Sequence, residues 1–166
     1  MSNIEKTFPK NIKAVVFDFD GVFTNNKVYL SEDGKESVRC DRSDGWGIGI
    51  LQKYDLLLSV MSSEVNPVVL RRCEKLNLEC YHQLKDSKYK CFLQWCEEKN
   101  ISPSEVIYIG NDENDVECLK NAGCGIVPAD AHDSAKKVSD FVLSKKGGDG
   151  AVRELADSIS IYFNKT

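Results

Sequence analysis

The feature that most constrains the fold is an alternation. Short apolar runs recur along the chain, each followed by a segment of helical character. Ala14–Phe19 (AVVFDF), Leu56–Met61 (LLLSVM), Glu79–His82, Val106–Ile109 (VIYI), Gly125–Val127 and Phe141–Leu143 read as strands. Gly45–Tyr54, Pro67–Leu76, Lys88–Lys99, Glu113–Asn121, a stretch near Ser134–Val138 and a last segment from Ala151 read as helices. Repeated strand–helix units pair their strands in parallel and cover both faces with helices. The expectation is therefore a Rossmann-like, doubly wound α/β sheet. One interruption is built in: Lys27–Leu30 and Glu36–Cys40 flank Glu32-Asp33-Gly34, whose Asp-Gly pair suits a tight turn. This predicts a β-hairpin at about 27–40. No repeat, low-complexity tract or linker divides the chain, so 1–166 is expected to be a single domain with a C-terminal tail at about 147–166.

Composition excludes some functions. A formal charge of −4 leaves no basic stripe for a nucleic-acid backbone. No apolar run reaches membrane-spanning length, and the opening MSNIEKTFPK lacks the apolar centre of a signal peptide, so a cytoplasmic protein is expected. The 7 cysteines are odd in number and contain no C-x-x-C, and several fall at apolar positions, which fits reduced thiols packed as small hydrophobes. His82 and His132 have no ligand spacing and read as structural residues, and Trp46 and Trp95 as packing residues.

Ligands of doubly wound sheets bind at the carboxyl ends of the strands, and the polar residues that stand out lie there. Asp18 and Asp20 close the first strand just before Gly21, Ser62 follows LLLSVM, and Asn111-Asp112 follow VIYI. Two carboxylates that close need a compensating cation, and magnesium suits a few carboxylates plus a substrate phosphate. One carboxylate could then attack phosphorus while the other serves as acid and base. Ser62 offers a hydroxyl for phosphate, Lys88 a neutralising cation, and Asn111, Asp112, Asn114 and Asp115 further metal ligands.

The order DxDG, Ser after a strand, Lys, then GNDxND resembles the haloacid dehalogenase superfamily of phosphotransferases over nearly the whole chain. The resemblance implies a HAD-like fold, with Asp18 as nucleophile and Mg2+ ligand. It makes Asp20 the acid/base, with its carbonyl on the metal, and gives the phosphoryl group to Ser62 and Lys88. DGVFTNNKVYLSEDGKE, SDGWGI and GGDGAVRE are similar to one branch, the small phosphatases of eight- and nine-carbon keto-sugar acid phosphates. That branch lacks a cap domain and forms homotetramers through the hairpin. Here a neighbouring subunit and the segment Gly147–Arg153 are expected to close the site.

Two departures matter. The octulosonate phosphatases usually read T-G-R where this chain has Ser62-Ser63-Glu64, whereas nononate-type members carry glutamate there and a lysine on the next helix. Glu64 and Lys75 are thus the expected substrate contacts. The expected substrate is a nine-carbon acid 9-phosphate, the alternatives being 3-deoxy-octulosonate 8-phosphate or a weakly active tetramerisation module linked to sialic acid activation. The second departure is Asn111, which stands where relatives often have a metal-binding aspartate, leaving Asn111 or Asp112 as the next ligand after Asp18 and Asp20. Asp44 and Arg42 lie in a Gly-rich stretch that could face the site or only form a turn. A receiver domain fits poorly, because its phosphoacceptor would follow the third strand, where this chain offers HQLKDSKYK.

Overall fold

Every residue of β1 (Ala14–Phe17) is buried, so apolar side chains on both faces place this strand inside the sheet. The computed structural model describes residues 3–165, and residues 1, 2 and 166 of the expected domain lie outside them. β1 pairs in parallel with β4 (Leu57–Met61) on one side and β6 (Val106–Ile109) on the other. β5 (Glu79–Tyr81), β7 (Cys124–Val127) and β8 (Phe141–Val142) extend the parallel sheet to the order β5-β4-β1-β6-β7-β8. The chain leaves β1 toward one edge and returns past it toward the other. The switch of direction therefore falls at β1, beside Asp18.

Alternation along β1 sorts the core into two layers. Val15 and Phe17 pack with Ile48 of α1 (Arg42–Leu51), Val69 of α2 (Val68–Leu76) and Leu155 of α6 (Ala151–Lys165). Ala14 and Val16 face Phe92 and Trp95 of α3 (Lys88–Glu98), Leu119 of α4 (Val116–Asn121) and Ala135 of α5 (Asp133–Lys136). The hairpin of β2 (Thr24–Leu30) and β3 (Glu36–Cys40) stands apart as a second, two-stranded sheet. All seven cysteines are free thiols, and Cys73, Cys96, Cys118 and Cys124 are buried.

Several boundaries differ from expectation for local reasons. β1 stops at Phe17, because Phe23 and Val22 N–H turn back to the Phe19 carbonyl (2.9 and 3.2 Å) and Gly21 takes φ +81°. α1 starts at Arg42 rather than Gly45, since Asp41 Oδ1 accepts from Ser43 N–H (2.7 Å) as its cap. The helix expected from Glu113 opens as a 3-10 turn, Glu113–Asp115, capped by Asp112. Trp95 is buried as expected, whereas Trp46 is exposed on α1.

The segment after β8 also departs from expectation. Gly148 N–H donates to Val22 O (3.0 Å), and a Cβ on Gly147 would sit 2.0 Å from Gly21 O. Within this chain the segment buttresses the loop after β1 and contributes no residue to the wall of the cavity described below. Only a residue without a side chain fits that close an approach, which accounts for the paired glycines.

Candidate active site

A cavity of about 440 Å³ opens at the carboxyl ends of β1, β4 and β6. Asp18, Asp20, Ser62, Glu64, Lys88, Asn111 and Asp112 all line it. Asp18 is reached first because it closes the central strand, its N–H still bonded to Ile109 O (2.8 Å). Lys88 enters from the first turn of α3, whose cap Ser87 Oγ accepts from Lys90 N–H (3.2 Å).

Lys88 joins two buried carboxylates. Its Nζ lies 2.6 Å from Asp18 Oδ1 and 2.8 Å from Asp115 Oδ1, with the lysine side chain 1% exposed. Burial opposes a charge on Lys88, but the two aspartates outweigh it and hold the ammonium above its usual range. Asp115 is the hub. Oδ1 also accepts from Tyr108 OH (2.8 Å), and Oδ2 accepts from Asn111 N–H (2.9 Å) and Asp112 N–H (3.3 Å). With every lone pair engaged, Asp115 positions Lys88 and the loop after β6 and is not turned toward the cavity as a metal ligand. Burial, and then the Asp115 charge, push Asp18 up to about 7 against the pull of Lys88.

Asp20 is oriented by a residue that motif reasoning passed over. Thr24 Oγ1 donates to Asp20 Oδ1 (3.0 Å) and accepts from Gly21 and Asn26 N–H (3.1 Å each). The signal lay in the spacing: a hydroxyl four residues after the second aspartate, across a glycine turn. Burial raises the Asp20 pKa; the Thr24 hydrogen bond opposes this, and the charges of Glu64 and Glu36 add to the rise. Ser62 Oγ accepts from Glu64 N–H (3.1 Å), which leaves its own proton free to donate into the cavity.

The oxygens at the centre test the fit of a divalent cation. The Asn111 side chain turns Oδ1 toward the Asp20 carbonyl (2.9 Å) and Asp18 Oδ2 (3.0 Å), three acceptors with no donor between them. A half-turn of the amide would let Nδ2 donate to both instead. An octahedral magnesium with oxygens at about 2.0–2.1 Å sets neighbouring ligand oxygens about 2.9 Å apart, which matches these separations. The donor set, one carboxylate and two carbonyl oxygens, fits a hard cation. Asn111, not Asp112, joins this cluster. Asp112 lines the cavity but spends Oδ1 on Glu113 N–H (2.7 Å).

Not every other expected residue reaches the cavity. Glu64 lines the cavity, while its Oε1 accepts from Val65 and Asn66 N–H (2.7 and 2.9 Å). Lys75 lies exposed in the last turn of α2, outside the cavity wall. Asp44 is buried between α1 and α6, where Oδ1 accepts from Arg153 N–H (3.0 Å), and neither it nor Arg42 lines the cavity. His132 caps α5 through Nδ1.

A parallel sheet with a carboxylate pair, a buried lysine and an oxygen cluster at its switch point defines a phosphohydrolase-type site. Residues 61–155 match the model of the haloacid dehalogenase-like hydrolase family. The 3-deoxy-D-manno-octulosonate 8-phosphate phosphatase of Escherichia coli K12 is 30% identical over 156 residues, covering 94% of this chain and 83% of its own length. A solved HAD family hydrolase of Streptomyces avermitilis is 42% identical, with TM-score 0.87, over 91% of this chain and 86% of its own. The octulosonate 8-phosphate phosphatase of Moraxella catarrhalis, solved with magnesium, phosphate and the sugar acid, is 27% identical with TM-score 0.92, over 99% and 94% of the two chains. A Haemophilus influenzae relative of that name, 28% identical with TM-score 0.87 over 99% and 93%, was solved with cobalt. The chain belongs to the haloacid dehalogenase-like hydrolase family. It is an enzyme, a hydrolase carrying a phosphatase's site.

Proposed function

We propose that the chain hydrolyses the terminal phosphate of a keto-sugar acid phosphate through an aspartyl-phosphate, with magnesium as cofactor. The observation that carries the chemistry is the split of Asp18 between two partners, Oδ1 on Lys88 and Oδ2 in the oxygen cluster with Asn111 and Asp20. Asp18 Oδ2, the Asp20 carbonyl and Asn111 Oδ1 would hold the magnesium, which would supply charge neutralisation for Asp18 and the phosphate. Asp18 Oδ1 attacks phosphorus and the ester P–O bond breaks. Asp20, whose pKa burial raises and which Thr24 aims, donates its proton to the departing alkoxide. Asp20 then takes a proton from water, whose oxygen attacks the aspartyl-phosphate phosphorus and releases phosphate and free Asp18. Ser62 OH and Lys88 bind the phosphoryl oxygens throughout.

For the substrate, the relatives named above favour 3-deoxy-octulosonate 8-phosphate. A nine-carbon 9-phosphate is the second reading, favoured by Glu64, whose carboxylate lines the cavity where it suits hydroxyl or amide donors. A cytoplasmic homotetramer built on the hairpin belongs to the same proposal, and no helix among the described residues is long and apolar enough to cross a membrane.

The test is phosphate release from octulosonate 8-phosphate, nononate 9-phosphate and N-acetylneuraminate 9-phosphate, with magnesium and with chelator. Turnover lost with chelator, and lowered roughly a thousandfold or more in Asp18→Asn, is expected. Chelator-resistant turnover, or an active Asp18→Asn, would refute the chemistry. The order of the three substrates decides between the two readings.

A further inference from the structure

We propose that Lys27, on the first strand of the hairpin, binds the carboxylate of the sugar-acid substrate, and that Glu36, Glu64 and Asn66 beside it receive the substrate's hydroxyls. This rests on the keto-sugar acid reading above and assigns the end of the site remote from phosphorus.

A second cavity, of about 140 Å³, lies between the hairpin and the start of α2. It shares Asp20, Asn26 and Glu64 with the first, so the two form one groove. The groove runs from Ser62 and Lys88 to Lys27, Glu36 and Asn66. Asn66 Nδ2 donates to Glu36 Oε2 (3.2 Å), tying the hairpin to the loop that carries Glu64.

Charge decides what this far end can hold. Asp18, Asp20, Glu36, Glu64, Asp112 and Glu113 all line the groove, so a second substrate anion meets repulsion along most of it. The basic side chains in the lining are Lys88 and Lys27. Lys88 is committed to Asp18 and Asp115 at the phosphoryl end. Lys27 is exposed at the groove, and no ion pair among the described residues includes it. The carboxylates of Glu36 and Glu64 only accept hydrogen bonds, so they suit O–H or N–H groups of the substrate and reject its carboxylate. Val28, Val38 and Val68 complete the wall. Lys75 lines neither cavity.

Steady-state kinetics on the full chain with magnesium test this, using the sugar-acid phosphate that the parent turns over best and p-nitrophenyl phosphate, which has no carboxylate. Lys27→Ala should raise KM for the acid by about two- to fivefold, the range of a partly exposed ion pair. Its kcat, and its kinetics on p-nitrophenyl phosphate, should stay at parental values. Lys27→Arg should recover most of the KM, Lys75→Ala should resemble the parent, and added salt should narrow the gap between parent and Lys27→Ala. A parental KM in Lys27→Ala, an equal loss on both substrates, or a KM rise in Lys75→Ala instead would each overturn the assignment. A parent active on p-nitrophenyl phosphate but on no sugar-acid phosphate would remove the substrate reading and Lys27's role with it, whereas normal parental turnover with an unaffected Lys27→Ala removes Lys27 alone.

Discussion

Asn111 is the residue at which this site departs most in charge from an all-carboxylate metal centre. Its carbonyl occupies a corner of the oxygen cluster with Asp18 Oδ2 and the Asp20 carbonyl, yet brings no negative charge. Cation affinity rises with the charge of the ligands, so Asn111→Asp should lower the magnesium midpoint for activity by roughly tenfold. The same change adds a charge beside Asp18, already pushed up to about 7 by burial and Asp115. Without metal, the variant should therefore unfold at a lower temperature than the parent, and magnesium should restore more of its stability. A magnesium titration of activity, paired with melting curves in chelator and in magnesium, checks both halves. An unchanged midpoint would show that Asn111 lies outside the metal's shell. The narrow space supports the placement, since a Cβ on Gly21 would meet Asn111 Nδ2 at 2.0 Å and so the amide has little room to move away.

The elements around the site are held by two packed helices whose contact includes a buried acid. Asp44 of α1 accepts from Arg153 N–H in the first turn of α6 (3.0 Å), while its Oδ2 has no hydrogen-bond partner and is buried. Burial raises Asp44 to about 6, with the Arg153 N–H pulling the other way. A raised carboxyl pKa favours the folded state while the group is protonated, so this contribution is complete below the ordinary value of 3.8 and is lost as pH rises through about 6. Asp44→Asn keeps an acceptor for Arg153 and removes the titration. Its stability relative to the parent should climb between about pH 4 and 6, by up to about 3 kcal/mol, and level off above. Melting curves of both proteins across that range, in chelator, test this; a constant or shrinking difference would count against it. Much at this scale is legible in the sequence, because apolar runs of four to six residues bounded by polar or glycine positions have few other readings. The strand ends delivered Asp18, Ser62 and Asn111, and the start of α3 delivered Lys88, to one place for the same reason. What stayed hidden depends on contacts distant in sequence. The fit of Gly147 against Gly21, the capture of Lys88 by Asp115 and the contact of Asp44 with α6 leave no local periodicity to read.

For the molecule as a whole, the hairpin is the part its own chain explains least. A two-stranded sheet is marginal in water unless something covers it. Here Arg39 is tied to Asp149 and the Gly148 carbonyl near its base, and Glu36, which pairs with Leu30 beside the turn, is tied to Asn66. Even so, Val28, Tyr29 and Leu30 are 56, 63 and 68% exposed in sequence succession, so both faces of β2 present apolar surface. Trp46 on α1 adds a large exposed ring elsewhere. Isolated exposed hydrophobics need no explanation, but three in a row on an uncovered strand are a contact surface or a hazard. Under the proposed tetramer they are contacts. Light scattering at micromolar concentration should then give the parent four times the monomer mass, and a Tyr29→Lys, Leu30→Lys double variant should dissociate. A parental monomer, or a double variant that stays assembled, would sink the hairpin interface. Activity separates the remaining possibilities. The groove's far end is walled by Lys27, Val28, Glu36 and Val38 of the same hairpin, so a dissociated variant should lose affinity for the sugar-acid phosphate. It should still hydrolyse p-nitrophenyl phosphate, because Asp18, Asp20, Ser62 and Lys88 all rest on the main sheet's strand ends and the helix that follows. Equal loss on both substrates would mean instead that assembly supports the loop after β1 itself.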